Sequence, residues 1–143
     1  MSESVPIVVA HVIQQAVAPV FLLTGVGAIL NVLTNRLSRI VDRWRALEQR
    51  HAGVPAEPQK LAGVRGELHL LGRRRTWIYR AITLCTLCAL LVCVVIATLF
   101  LGTEFAVDPS RTVAMLFVAA MLSLILGLLC FLREISLAIA GAR

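Results

Sequence analysis

Residues 81–101 and 112–132 form two runs of 21 residues without a single Asp, Glu, Lys or Arg. As helices rising about 1.5 Å per residue, each is long enough to cover the roughly 30 Å hydrocarbon core of a bilayer. A third run, residues 17–33, is also uncharged but shorter and less apolar. Across the chain 59% of residues are hydrophobic and the mean hydropathy is +0.86. Soluble domains draw only about 45–50% of their residues from the apolar set. The fold class that follows is an all-α membrane protein with three transmembrane helices, at 19–33, 81–101 and 112–132.

The charges predict the orientation. Residues 34–80 hold eleven Lys and Arg against four acids, a net +7. The loop at 102–111 carries Glu104, Asp108 and Arg111, and residues 1–18 carry only Glu3. Positive segments stay on the cytoplasmic side, so the N-terminus is expected outside and the C-terminal tail, 133–143, inside. Because the start lacks positive charge, no cleavable leader is expected. In a soluble chain such a basic excess points to nucleic acid. Beside lipid it points first to topology and then to anionic headgroups, and no nucleic-acid partner is expected.

Between the spans the pattern stays helical. No helix stop separates Pro19 from about Gln49. "AGVPAEP", residues 52–58, reads as a turn. A second arm then places Leu61, Val64, Leu68 and Leu71 on one face, weakened by Gly63, Gly66 and Gly72. The first two spans are thus expected to extend, over 34–80, into a cytoplasmic antiparallel helical hairpin. With the membrane edge near Thr34 and Arg80, Trp44 is expected to pack between the arms with neighbours among Leu68, Leu70 and Leu71. Trp77 and Tyr79 suit the interfacial belt. Ahead of Pro19, Val5, Val8, Val9, Val12, Ile13 and Ala16 share one helix face. Residues 1–18 are read as an external amphipathic segment or an extension of the first span, with a break expected at Ala18, because proline restricts the residue before it.

The first helix has two distinct sides. Placed at 100° intervals, Leu22, Val26, Ile29, Leu30, Leu33, Leu37, Ile40 and Trp44 fall within about 100° of arc. Opposite them lie Thr24, Ala28, Asn31, Asn35, Ser38 and Asp42, and Arg36, Arg39, Arg43, Arg45 and Arg50 supply a basic edge. An amide facing lipid without a partner costs several kcal/mol. Asn31 therefore needs a bond within the protomer, where Thr83 lies nearest by the hairpin pairing, or a place in a subunit seam or water-filled path.

Other motifs read as packing. Cys85 and Cys88 form C-x-x-C, but structural zinc takes about four ligands and no second pair lies at that depth. Cys85, Ala89, Cys93 and Ala97 recur every four residues, as do Ala119, Ser123 and Gly127. Small residues at this spacing let membrane helices approach, so the second and third spans are expected to meet along these stripes. Asp42 is placed to pair with Arg39 or Arg45. Glu134, just past the third span, is expected to meet Arg75 or Arg80. His11, His51 and His69 fall on different elements. No catalytic set, metal site or cofactor motif is expected, and the chain is read as non-enzymatic.

The stretch "APVFLLTGVGAILNVLTNRLSRIVDRWRAL", with its core Asn35-Arg36-Leu37-x-Arg39-Ile40-x-Asp42-Arg43, resembles the bacterial membrane proteins grouped as domain of unknown function 2721. The resemblance implies a three-span protein of the bacterial inner membrane and supplies no catalytic or binding residues. Two functions fit the residues. One is a self-associating structural or regulatory protein whose basic hairpin meets anionic lipid or a cytoplasmic protein partner. The other is a small homo-oligomeric channel, favouring anions, lined by the polar side of the first helix.

Overall fold

The structure, a computed structural model of the chain, describes the backbone of residues 4–51, 58–104 and 109–140. Side chains are described over 9–49, 68–102 and 109–139, and at 63, 65 and 66. Three helices account for all of these residues except Pro109: α1 (Ser4–His51), α2 (Pro58–Glu104) and α3 (Ser110–Ala140). Each is long and apolar enough to cross a membrane. Proline suits the first position of a helix, where its missing N–H leaves no gap, and α2 begins on Pro58. The Pro109 carbonyl accepts the Val113 N–H at 2.9 Å and starts the bonding ladder of α3. The turn expected at 52–58 lies outside the described residues except for Pro58.

The break expected at Ala18 is absent, because α1 runs through Pro19. Proline forfeits one bond to the carbonyl four residues back. A break would expose several unpaired backbone groups in apolar surroundings, which costs more. Residues 4–18 are thus an extension of the same helix. Their buried face is narrower than the hydrophobic pattern implied: Val12 and Ala16 are buried, whereas Val9, Ile13 and Val17 are exposed.

What the helices bury follows an alternation of three and four residues. On α1, Val12, Pro19, Val26, Leu33, Ile40 and Leu47 are spaced by seven, with Ala16, Leu23, Leu30, Leu37 and Trp44 between them, and all are buried or half-buried. On α2 the series is Leu71, Ile78, Cys85 and Val92, with Ala81, Cys88 and Val95 between; all of these are buried. On α3 it is Val113, Ala120, Gly127 and Glu134, interleaved with Leu116, Ser123 and Cys130. A period of 3.5 keeps each seam turned toward neighbouring helices over its length. Large apolar side chains off the seams, such as Phe21 (73% exposed) and Met115 (69%), are left to hydrocarbon.

The chain divides into two compact units, residues 1–30 with 84–126 and residues 31–83 with 127–143. In the first, Cys85, Cys88, Val92, Val95 and Ala120 are closed off from the surface. The buried Ser123 hydroxyl donates to the Leu84 carbonyl at 2.8 Å, a direct bond from α3 to α2. The expected small-residue stripes are only partly used. Cys85, Ser123 and Gly127 are buried and Ala89 is half-buried, but Cys93, Ala97 and Ala119 are exposed. Steps of four residues drift about 40° each around a helix, so such a stripe leaves a seam that alternates three and four.

In the second unit Ile40, Leu71 and Ile78 form a buried cluster, with Leu37, Trp44, Leu47 and Ile82 packed against it. The Trp44 ring lies over Gly72, where a Cβ would meet it in ordinary contact at 3.6 Å. Trp44 thus packs on α2 beside Leu71, while Leu70 is exposed.

One glycine in the first unit is held by a close approach. A Cβ on Gly102 would lie 2.6 Å from Cγ of Pro109, inside van der Waals contact with a rigid ring, whereas one on Gly66 meets nothing within 4 Å. Gly66→Ala is expected to raise stability in detergent by up to about 1 kcal/mol through helix propensity. Gly102→Ala should lower it by about 1–3 kcal/mol despite the same propensity gain. Reversible unfolding in mixed micelles reads both signs.

Candidate functional site: a buried Arg–Glu–Arg triad

Glu134 occupies a seam position of α3, seven residues after Gly127, and its side chain is 0% exposed. An ionised carboxylate so placed needs charge partners and hydrogen bonds to offset its lost hydration. It has both. Arg36 of α1 donates from Nη1 to Oε2 at 2.8 Å. Arg74 of α2 donates from Nη2 and Nε to Oε1 at 2.8 and 3.1 Å. The Arg36 guanidinium also stands over the Phe131 ring, one turn before Glu134, at 5.3 Å from its centroid. That cation–π contact fixes the plane from which Arg36 reaches the acid. One residue from each helix therefore converges on a single carboxylate.

The sequence pointed Glu134 at Arg75 or Arg80. Both are exposed. Arg74 lies seven residues before the buried Ala81 and shares the seam of α2, while Arg75 is turned about 100° away. Arg80 instead stands over Trp77, at 5.4 Å. Arg36, assigned to the basic edge, is the member of that edge that turns inward. Arg39, Arg43 and Arg45 are exposed, and the Arg50 side chain lies outside the described residues.

The polar side of α1 is exposed throughout: Thr24, Asn31, Asn35, Ser38 and Asp42 all face away from the seam. Its bonds stay on its own helix. Thr24 donates to the Val20 carbonyl at 3.2 Å, Ser38 to that of Thr34 at 3.1 Å, and Asn35 Nδ2 to Asn31 Oδ1 at 3.3 Å. The bond weighed from Asn31 to Thr83 is not formed: Asn31 Oδ1 accepts from Asn35, and Thr83 donates to the Tyr79 carbonyl at 2.9 Å. Among the described residues Asp42 makes no ion pair with Arg39 or Arg45; exposed pairs of that kind contribute little. An open groove beside the triad helices is lined by Trp44, Leu68 and Gly72 together with Arg65, His69 and Arg73. Among the described residues no three His, Cys, Asp or Glu side chains gather as a metal-binding group.

Three spanning helices, apolar seams and one clasped acid define a multi-pass membrane protein. The family model described as Protein of unknown function (DUF2721) matches residues 16–143, and the chain belongs to that family. The match takes in the triad and all but the first turns of α1. No curated protein and no solved structure matches the chain.

The triad makes a graded prediction. Glu134→Ala removes three hydrogen bonds and leaves two guanidinium groups facing each other, Arg74→Ala removes two bonds, and Arg36→Ala one. Losses of stability should fall in that order, with about 3–5 kcal/mol for Glu134→Ala. Converting all three to Met should cost far less than Glu134→Ala alone, since apolar isosteres leave no buried charge unpaired. Unfolding of the four variants in one detergent system tests the order.

Proposed function

We propose that the protein is a self-associating, non-enzymatic membrane protein of the bacterial cytoplasmic membrane, structural or regulatory in role. Its N-terminus lies outside and its C-terminus inside. The lower parts of α1 and α2 reach into the cytoplasm as a basic antiparallel hairpin that meets anionic lipid or a protein partner. The net +7 of residues 34–80 supports the orientation, since basic segments resist translocation. The observation that carries self-association is the exposed polar side of α1, running from Thr24 to Asp42 beside a fully used apolar seam. Amides turned toward hydrocarbon are costly, and a second copy of the same face offers Asn31 and Asn35 matching donors and acceptors.

Disulfide crosslinking in native membranes tests the seam. Cys93 and Cys130 are replaced, and the fully buried Cys85 and Cys88 are kept. Ser38→Cys and Asp42→Cys should then yield covalent dimers several-fold more efficiently than Ile40→Cys or Trp44→Cys. Weak, equal crosslinking at all four positions contradicts self-association through this face. The exposed Arg39 and Arg43 beside the stripe favour one second reading, an anion-selective pore with the stripe as its lining. Anion current from the purified oligomer in a planar bilayer would establish that reading, and an electrically silent oligomer would remove it.

A further inference from the structure

The triad does not neutralise itself. Two guanidinium groups hold one carboxylate, leaving one net positive charge on a fixed frame. Arg36 spends only Nη1 on Glu134, so its Nε and Nη2 remain, and Arg74 keeps Nη1. Both side chains reach the surface, Arg36 at 41% and Arg74 at 27% exposure, so these donors have a way out. Arg36 and Glu134 lie within three residues of the ends of uncharged runs, and Arg74 lies seven residues, about 10 Å along a helix, before the run that begins at Ala81. Exposed Arg73, Arg75 and Arg133 adjoin the triad in sequence and add charge of the same sign.

We propose that the triad is a binding site for the phosphate of one anionic phospholipid, with Arg36 and Arg74 as the contacting residues and Glu134 as the positioning residue. This rests on the membrane placement above and names the ligand of the basic region. A phosphodiester presents coplanar oxygens that match guanidinium forks, and at the edge of the hydrocarbon such pairs are poorly screened. Glu134 and the Phe131 ring hold the forks in one geometry before the lipid arrives, which lowers the ordering cost of binding. Acyl chains of a lipid held there would lie along the exposed apolar sides of the spans.

Trp77 reports on the site, being three residues from Arg74 and stacked with Arg80. The full chain carrying Trp44→Phe is reconstituted in symmetric vesicles of phosphatidylcholine and phosphatidylglycerol, with bromine placed high on the acyl chains of one lipid at a time. Brominated phosphatidylglycerol should quench Trp77 as though it associated at least about fivefold more strongly than phosphatidylcholine, the effect of one added positive charge. Converting Arg36, Arg74 and Glu134 together to Met should lower the ratio about fivefold, to the level that the exposed Arg73, Arg75, Arg80 and Arg133 sustain. Arg36→Met, which leaves Arg74 and Glu134 as a neutral pair with both bonds, should lower the ratio about as far and serves if the triple variant does not fold. An equal ratio in the parent, or an undiminished ratio in the variants, overturns the site. Loss of the preference on replacing chloride by inorganic phosphate at equal ionic strength assigns the forks to free phosphate and overturns the lipid assignment. Symmetric vesicles make the readout independent of orientation and of subunit contact, so its failure leaves those readings standing.

Discussion

A carboxylate sealed from water at the end of α3 is the constraint on which the second unit depends. Glu134 is tolerable only where Arg36 and Arg74 both reach it, which fixes the register of three helix segments at once. The apolar seams specify register less sharply. Their residues repeat by seven and resemble one another in size, so a shifted helix still buries comparable surface. A single acid among them penalises every shift, as a lone polar side chain does in a coiled coil. Trp44, packed on the Ile40, Leu71 and Ile78 cluster, adds an apolar contact farther along the same two helices.

Packing within hydrocarbon rests on other terms, because lipid tails cover apolar side chains as well as protein does. The first unit accordingly uses small and branched residues, Cys85, Cys88, Val92 and Ala120, and one bond from Ser123 to the Leu84 backbone. The third side of α1 is the unresolved demand of this design. Its hydroxyls bond back along the helix and Asn35 donates to Asn31, yet the amides keep further polar atoms where the spans border lipid, and a second copy or water can meet that demand. One helix thus serves an inner seam, an outer polar face and a basic edge at once.

Much of this was legible in the residues. Charge-free runs announced three helices long and apolar enough to span, and the two-sided pattern of α1 separated buried Val26, Leu33 and Ile40 from exposed Asn31, Asn35 and Ser38. The triad was half legible, since Glu134 stood out as an acid at the end of an apolar helix, but choosing among Arg73, Arg74, Arg75 and Arg80 needed the phase of α2. The alternation through Val113, Ala120, Gly127 and Glu134 was the signal that places the acid in a seam. A period of four in the small residues obscured it. At Pro19 the local preference for a break is outweighed by the cost of an open backbone in hydrocarbon.

The direct test of this picture is the partner of the Glu134 carboxylate in a bilayer. Solid-state NMR on protein with carbon-13 in the glutamate carboxyl groups and nitrogen-15 in the arginine guanidinium groups measures their through-space contacts, with Arg→Lys variants assigning each one. Strong contacts from an ionised Glu134 to both Arg36 and Arg74, and none to Arg75 or Arg80, are expected. A protonated Glu134, or one in contact with Arg75 or Arg80 instead, would contradict the clasp and the helix register built on it.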